Sequence, residues 1–161
     1  MTQTKASAVV KTSKAVHKSA RFAIIQARFN GEMTSAMRER CVETLRKNGV
    51  AQNRIDVFTV PGSLEIPVVA QKLAKTKKYA ALIALGVIIK GDTYHFELVA
   101  NECARGCMDV SLAHGVPVIF EVLATYSREQ ALARTGGDAY NKGIEAAAAA
   151  LEVVQTLATI S

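Results

Sequence analysis

Four short apolar runs alternate along the chain with longer segments whose apolar residues recur at helical spacing. The runs are RFAIIQA (21–27), RIDVFTV (54–60), AALIALGVII (80–89) and VPVIFEVL (116–123), and their length predicts β-strands. Helices are predicted at 33–49, at 64–76, after Gly91, at 127–135 and at 138–158. Because continuous apolar strands alternate with helices, we expect an α/β fold with a parallel sheet covered on both faces.

The carboxyl ends of the predicted strands are the expected place for a ligand, since open parallel sheets bind small molecules beyond that edge. The segments that follow the four strands there are 27–30, 60–65, 86–95 and 120–127. Candidate chemistry is therefore sought first in these four segments.

Composition narrows the class of protein. At 161 residues, half of them apolar, the chain suits one globular domain. No apolar run approaches the roughly 18 residues of a membrane helix, and no signal-type apolar block follows the start. We therefore expect a soluble, cytoplasmic protein with no membrane contact. Three cysteines without framework spacing indicate reduced thiols.

Most of the net charge of +6 belongs to the first 20 residues, which hold four lysines and no acid. A Lys/Ser/Thr/Ala segment of this kind is typical of a solvated, flexible arm, and a transit peptide is the alternative. With the arm set aside, the remaining charge gives no reason to expect a nucleic-acid partner. We predict a basic arm at 1–20 and one domain at 21–161.

His95 is the histidine with the strongest claim to chemistry. It falls in the first turn of the predicted helix after strand three, where the helix field favours a neutral ring that can give or take a proton. A structural histidine is the alternative. His17, in the arm, and His114, before a Gly-Val-Pro turn, are expected at the surface.

The stretch KGDT (90–93) offers the parts of an anion site, namely a tight turn, backbone N–H groups at a helix start and the hydroxyl of Thr93. An ordinary N-cap at Asp92 or Thr93 explains the stretch equally well. Arg134 and Lys142 are further candidate anion ligands, with solvated helix surface as the alternative.

Glu65 and two aromatic residues at strand ends, Phe29 and Phe120, can each be interpreted in two ways. Glu65 either complements a helix dipole or binds a polyol or amine. Phe29 and Phe120 either stack on a flat heterocycle or fill the core.

Several classes of site lack support in the sequence. Cys103 and Cys107 are spaced as i and i+4, but they lie on an apolar stripe without a third ligand nearby, so core packing is expected. Phosphate-loop, G-x-G-x-x-G, H-E-x-x-H and C-x-x-C motifs do not occur. Nucleotide hydrolysis and zinc chemistry are therefore not predicted.

Six motifs in a fixed order resemble the lumazine synthase family. They are ARFN (27–30), VPGSLEIP (60–67), ALGVIIKGDTYHFELVANECARG (84–106), GVPVIF (115–120), EQALARTGG (129–137) and NKG (141–143), and the match runs from about Arg21 to Val154. The resemblance implies a three-layer α/β/α sandwich around a flavodoxin-like, four-stranded parallel sheet.

The same resemblance implies an enzyme, a transferase that needs no cofactor or metal. It would condense 5-amino-6-ribitylaminouracil with 3,4-dihydroxy-2-butanone 4-phosphate to 6,7-dimethyl-8-ribityllumazine, phosphate and water, the penultimate step of riboflavin biosynthesis. The alternatives are a binding protein that retains flavin or lumazine on the same scaffold without turnover, and a phosphate-ligand module unrelated to riboflavin.

The resemblance also implies substrate-binding residues, which are Phe29, Ser63, Leu64, Glu65, Val87, Ile88, Ile89, Asp92, Thr93, Phe120, Arg134 and Lys142. Phe29 would stack on the pyrimidine, residues 63–65 would bind the ribityl chain, and the backbone of 87–89 would face the pyrimidine edge.

By the same resemblance, other residues would bind the phosphate and transfer protons. Asp92, Thr93 and Arg134 would hold the phosphate. His95 and Arg134 would be the catalytic residues, with His95 transferring protons. Phe120, Arg134 and Lys142 would reach the pocket from a neighbouring subunit.

Assembly follows from the resemblance as well, since the family forms pentamers and, in some members, icosahedral 60-mer shells. We expect a homo-oligomer, at least a pentamer, with active sites between subunits. The absence of an insertion between Arg134 and Asn141, and of any proline before Pro61, resembles shell-forming members. Riboflavin synthase is a further partner that the resemblance raises.

Four positions depart from the family pattern. Val87 and Lys90 stand where Thr and Arg are common, and Glu121 and Tyr126 stand where Gly and an acid are usual. Glu121 is expected to add bulk and charge near the edge of the pocket or at the subunit contact.

Overall fold

A parallel four-stranded sheet forms the centre of the structure. The computed structural model describes residues 14–160, and its strands are β1 (Phe22–Ala27), β2 (Ile55–Val60), β3 (Ala81–Ile89) and β4 (Val118–Thr125). They lie in the order β2-β1-β3-β4, and every neighbouring pair is parallel. The predicted fold is confirmed, and the strand order is that of a flavodoxin-like sheet.

Helices cover both faces of the sheet and complete three layers. One face carries α1 (Lys14–Ser19), α2 (Gly31–Lys47), α5 (Arg128–Thr135) and α6 (Lys142–Ala158), and the other carries α3 (Ile66–Lys75) and α4 (His95–His114). Short 3₁₀ turns at Gln52–Arg54 and Ser63–Glu65 precede β2 and α3.

The two cores explain why the central strands show no polar alternation. All six residues of β1 are buried, and successive residues face opposite cores: Ile24 packs with α2 and α6, whereas Ile25 packs with α3 and α4. Cys103 and Cys107 are buried in the second core, which confirms their predicted packing role.

Expectations for the start of the chain require correction. Residues 14–19 are helical, and His17 is buried, with 1% of its surface exposed and its Nδ1 3.3 Å from the Asn48 carbonyl oxygen. The prediction of a surface histidine is therefore wrong at this position. The rest of the predicted arm, residues 1–13, lies outside the described residues.

The last helix begins at Lys142 rather than at residue 138, because the side chain of Asn141 caps it by accepting the Gly143 N–H. Between residues 14 and 160, no helix combines the length and hydropathy that crossing a membrane requires.

Candidate active site

A cavity of ≈ 500 Å³ opens at the carboxyl ends of β1, β2 and β3. It is lined by Phe29, by residues 61–65 and 87–89, and by Gly91, Thr93, His95, Phe96 and Val99. The structure therefore brings together three of the four segments that the sequence singled out, at the edge where open parallel sheets bind ligands.

The length of β3 leaves backbone groups facing this cavity. Pairing of β3 with β1 ends at Leu85, opposite Gln26, whereas pairing with β4 continues to Ile89, opposite Thr125. Beyond Leu85, the N–H and C=O groups that point away from β4 have no counterpart on β1. The side of β3 that faces away from β4 at Val87 and Ile89 is therefore not paired with β1.

Asn30 supports that stretch of β3 from the end of β1. Its side-chain amide donates to the Val87 carbonyl at 2.8 Å. Its own backbone is left-handed, with φ 56°, a conformation that Asn tolerates better than most residues. Asn30 therefore both turns the chain into α2 and holds the end of β3 that extends beyond its pairing with β1.

Gly86 lets the loop after β2 approach β3 closely. A Cβ at this position would lie 2.5 Å from the Oγ of Ser63, which is itself buried. The absence of a side chain at residue 86 therefore leaves room for the Ser63 hydroxyl at the cavity wall.

Phe29 stands at the cavity rim with 70% of its surface exposed. Its N–H donates to the Pro61 carbonyl at 3.0 Å, and the preceding N–H, of Arg28, donates to Val60 at 2.8 Å, so its backbone is held beside the end of β2. The core-filling interpretation is wrong for this ring, which is available to stack on a planar ligand.

Glu65 has a local structural partner. Its Oε2 accepts the Gly62 N–H at 2.8 Å. This bond favours the first of its two predicted roles, the stabilisation of a helix start. The carboxylate nevertheless stays exposed in the cavity wall beside Leu64, where hydroxyl groups of a ligand can reach it.

His95 is the first residue of α4, and its exposed side chain lines the cavity together with Thr93. The Thr93 hydroxyl accepts the His95 N–H at a long 3.5 Å, and no side chain caps the helix at Tyr94. Asp92 is exposed beside this turn without lining the cavity. Backbone N–H groups at the start of α4 thus remain available to an anion.

Two of the residues that depart from the family pattern contact each other. The Lys90 ammonium lies 5.6 Å from the centre of the Tyr126 ring, within cation–π range, and 3.5 Å from a carboxylate oxygen of Glu97. Tyr126 also packs on Phe96, which lines the cavity. Lys90 and Tyr126 therefore support the cavity wall as a pair.

Glu121 does not line the cavity of its own chain, and its other expected place, at the subunit contact, stays a prediction. It alternates along β4 with Phe120 and Val122, so it faces the side of the sheet that carries α6. Burial and the charge of Glu145 raise the pKa of Glu121 to about 7, against the opposing effect of Lys142.

Phe120, Arg134 and Lys142 do not line the cavity of their own chain. Phe120 is 40% exposed on the edge strand β4, so it is not a core-filling residue. Arg134 donates to the Gln130 carbonyl at 2.8 Å in the last turn of α5, and Lys142 forms an ion pair with Glu145 at the start of α6. All three follow β3 in the chain, whereas the cavity is built by residues before Ala100.

A wider groove of ≈ 860 Å³ runs between α2 and the edge strand β2, and its lining includes the charged residues Arg38, Glu43 and Arg46. It contains none of the residues that the sequence marked for chemistry. The smaller cavity, where those residues converge, is therefore the candidate functional site.

The sequence model of one protein family matches this chain. The family is described as 6,7-dimethyl-8-ribityllumazine synthase, and the match covers residues 19–158 of 161. It includes all four strands, α2 to α6 and every residue that lines the cavity. The chain therefore belongs to the 6,7-dimethyl-8-ribityllumazine synthase family, whose members are transferase-type enzymes of riboflavin biosynthesis.

Proposed function

We propose that this protein condenses 5-amino-6-ribitylaminouracil with 3,4-dihydroxy-2-butanone 4-phosphate to give 6,7-dimethyl-8-ribityllumazine, phosphate and water. One observation carries the proposal: an exposed aromatic ring, the end of β3 that extends beyond its pairing with β1, and His95 line a single cavity. Family membership supports this class of substrate, and the lining of the cavity supports a binding mode for the pyrimidine and its ribityl chain.

The pyrimidine binds on the β1 and β3 side of the cavity. Its ring stacks on Phe29, and its polar edge pairs with the backbone of 87–89, which β1 leaves unpaired. The ribityl chain lies along residues 63–65, where the Ser63 hydroxyl and the Glu65 carboxylate face its hydroxyl groups.

His95 moves the protons that the reaction requires. The amine attacks the ketone, the carbinolamine loses water to form an imine, phosphate leaves, and ring closure expels a second water. Each step transfers a proton at a heteroatom or carbon near the departing phosphate, and an exposed imidazole beside an anion site suits that task. Orientation of two bound substrates adds acceleration, worth roughly 7–11 kcal/mol in favourable intramolecular models.

The phosphate-binding site lies at the start of α4, near Asp92 and Thr93. Arg134 and Lys142 of a neighbouring subunit complete this site. Neither cation lines the cavity of its own chain, so contribution between subunits explains how the anion site acquires positive charge. Phe120 of the same neighbour closes the pocket over the heterocycle.

Exposed apolar side chains on one face of α4 support assembly into an oligomer. Tyr94, just before α4, and Leu98, Met108 and Leu112 within it are all more than half exposed, and the exposed polar residues Asn101 and Arg105 lie between the two apolar pairs. A second copy of the chain that packs on this face would remove it from water. We propose at least a pentamer, and sedimentation of the native protein distinguishes a pentamer from a 60-mer shell.

The direct test mixes the purified protein with the two substrates and follows lumazine absorbance and phosphate release together. Stoichiometric appearance of both products is expected. Binding of lumazine or flavin without product formation would contradict an enzyme and would favour a binding protein on the same scaffold.

A further inference from the structure

Asn141 is a fully buried polar residue in the connection between α5 and α6, and neither the proposed catalysis nor the proposed ligand contacts involve it. Its side-chain nitrogen donates to the carbonyls of Thr135, at 3.0 Å, and Gly136, at 2.7 Å. Its side-chain oxygen accepts the Gly143 N–H at 2.8 Å. A single amide therefore joins the end of α5 to the beginning of α6.

The same connection is seated directly on α2. The nitrogen of Asn141 lies 3.5 Å from the Ala36 carbonyl oxygen. A Cβ on Gly143 would lie 2.0 Å from the carbonyl oxygen of Met37, so the backbones of α6 and α2 touch at that point. The start of α6 has no room to shift toward α2, and the amide of Asn141 opposes a shift of the loop away from it.

The two cations assigned to the phosphate flank these contacts. Arg134 immediately precedes Thr135, whose carbonyl accepts from Asn141, and Lys142 immediately follows Asn141. We call residues 134–142 the phosphate limb. Since misplacement of a binding group by about 1 Å can lower activity about a hundredfold, the position of this limb matters even where no atom of Asn141 touches substrate.

We propose that Asn141 is a positioning residue, which holds Arg134 and Lys142 of the phosphate limb in register with the phosphate subsite in the cavity of the neighbouring subunit. The inference rests on the proposed function. It assigns to Asn141 a specific effect on the phosphorylated substrate, beyond its role as a helix cap.

Asn141→Ser separates the two roles. Serine caps helices about as well as asparagine and can still accept the Gly143 N–H. Its shorter side chain cannot also reach the carbonyls of Thr135 and Gly136, so only the fixing of the limb is lost. Leu151→Ala, a buried residue of the same helix far along from the limb, is the matched control for general destabilisation.

The experiment measures KM for each substrate and calorimetric binding of inorganic phosphate to the assembled protein. For Asn141→Ser we expect KM for the butanone phosphate to rise about tenfold, with a parallel loss of phosphate binding, while KM for the pyrimidine stays within about twofold. Leu151→Ala should lower thermal stability without separating the two KM values.

Equal changes in both KM values for Asn141→Ser, or unchanged phosphate binding, would overturn the proposal, as would the same separation of KM values in Leu151→Ala. Lumazine formation by the unmodified protein tests the proposed function separately. Because phosphate binding is measured without turnover, the role of Asn141 is tested even if the reaction itself is different.

Discussion

The side-chain amide of Asn30, at the end of β1, donates a 2.8 Å hydrogen bond to the carbonyl of Val87, beyond the point where β3 loses β1 as its partner. This bond replaces strand pairing at the cavity wall. It takes the Val87 carbonyl and holds in place the neighbouring backbone that the proposed function presents to the pyrimidine, although Asn30 itself is not assigned to contact the substrate.

Asn30→Gly tests this relationship. Glycine suits the φ of 56° at this position, so the variant loses the amide without adding backbone strain. We expect affinity for the pyrimidine, measured by calorimetry, to fall about tenfold, with a loss of about 1 kcal/mol in the free energy of unfolding. Lys77→Gly, at the other non-glycine residue with positive φ, is the control. Equal affinity losses in the two variants would contradict the role of Asn30.

Arg134→Ala tests the phosphate assignment. Removal of the guanidinium should raise KM for the butanone phosphate about a hundredfold and leave KM for the pyrimidine nearly unchanged, since charge-assisted hydrogen bonds to a phosphate are worth roughly 1.5–3 kcal/mol. Arg128→Ala, on the same helix and paired at the surface with Glu32, controls for loss of charge. Steady-state kinetics with each substrate varied in turn decides the matter, and equal rises in both KM values would count against the assignment.

Gly86→Ala tests the close approach of Ser63 to β3. The added Cβ would meet the Ser63 Oγ at 2.5 Å, so we expect a loss of about 1–3 kcal/mol in stability and weaker binding of the ribityl chain. Ser63→Ala in the same chain removes the obstructing oxygen and should restore part of the stability. Denaturant unfolding of the two single variants and the double variant gives the coupling free energy between the two positions. Strictly additive losses in the free energy of unfolding would refute the contact.

Glu121 predicts a pH dependence of stability. Its pKa of about 7 lies above the ordinary value of 4.5, so the folded chain holds this proton more tightly than the unfolded chain. Ionisation of Glu121 therefore lowers the free energy of unfolding as pH rises from about 4.5 to 7, and this destabilisation is complete above pH 7.

Glu121→Gln should remove this dependence. We expect the variant to gain about 1–3 kcal/mol relative to the unmodified protein at pH 8, and no such gain at pH 5, as measured by denaturant unfolding. Glu152→Gln, an exposed glutamate of α6, serves as the control. A gain of the same size at both pH values would show that the titration of Glu121 is not the cause.

Much of the fold was predictable from the sequence. A strand that is buried on both faces of the sheet is a continuous apolar run, whereas the apolar residues of a helix recur every three or four positions. The carboxyl ends of parallel strands meet at one edge of the sheet, so the sequence alone predicts that Phe29, Ser63 and His95 lie in one region. The family resemblance added roles that no single motif could supply.

Other features have no local pattern that reveals them. The bond from Asn30 to Val87 joins residues 57 positions apart in sequence, and the need for glycine at position 86 depends on a loop that approaches from β2. His17 was missed for the same reason, since its burial comes from packing beside Asn48 and not from the composition of its own segment. Asn141 lies in a recognised motif, but its three bonds appear only once α5 and α6 are placed together.

The central claim is that His95 of one subunit acts with Arg134 of the next. The most direct measurement co-expresses His95→Gln and Arg134→Ala chains with different tags and assays the purified mixed oligomers. At a butanone phosphate concentration near the KM of the unmodified protein, each variant alone should be nearly inactive, whereas random mixing in equal amounts should leave about a quarter of the interfaces with both residues intact and restore activity in that proportion. Mixed oligomers with no more activity than the sum of the two parent variants would contradict a site shared between subunits.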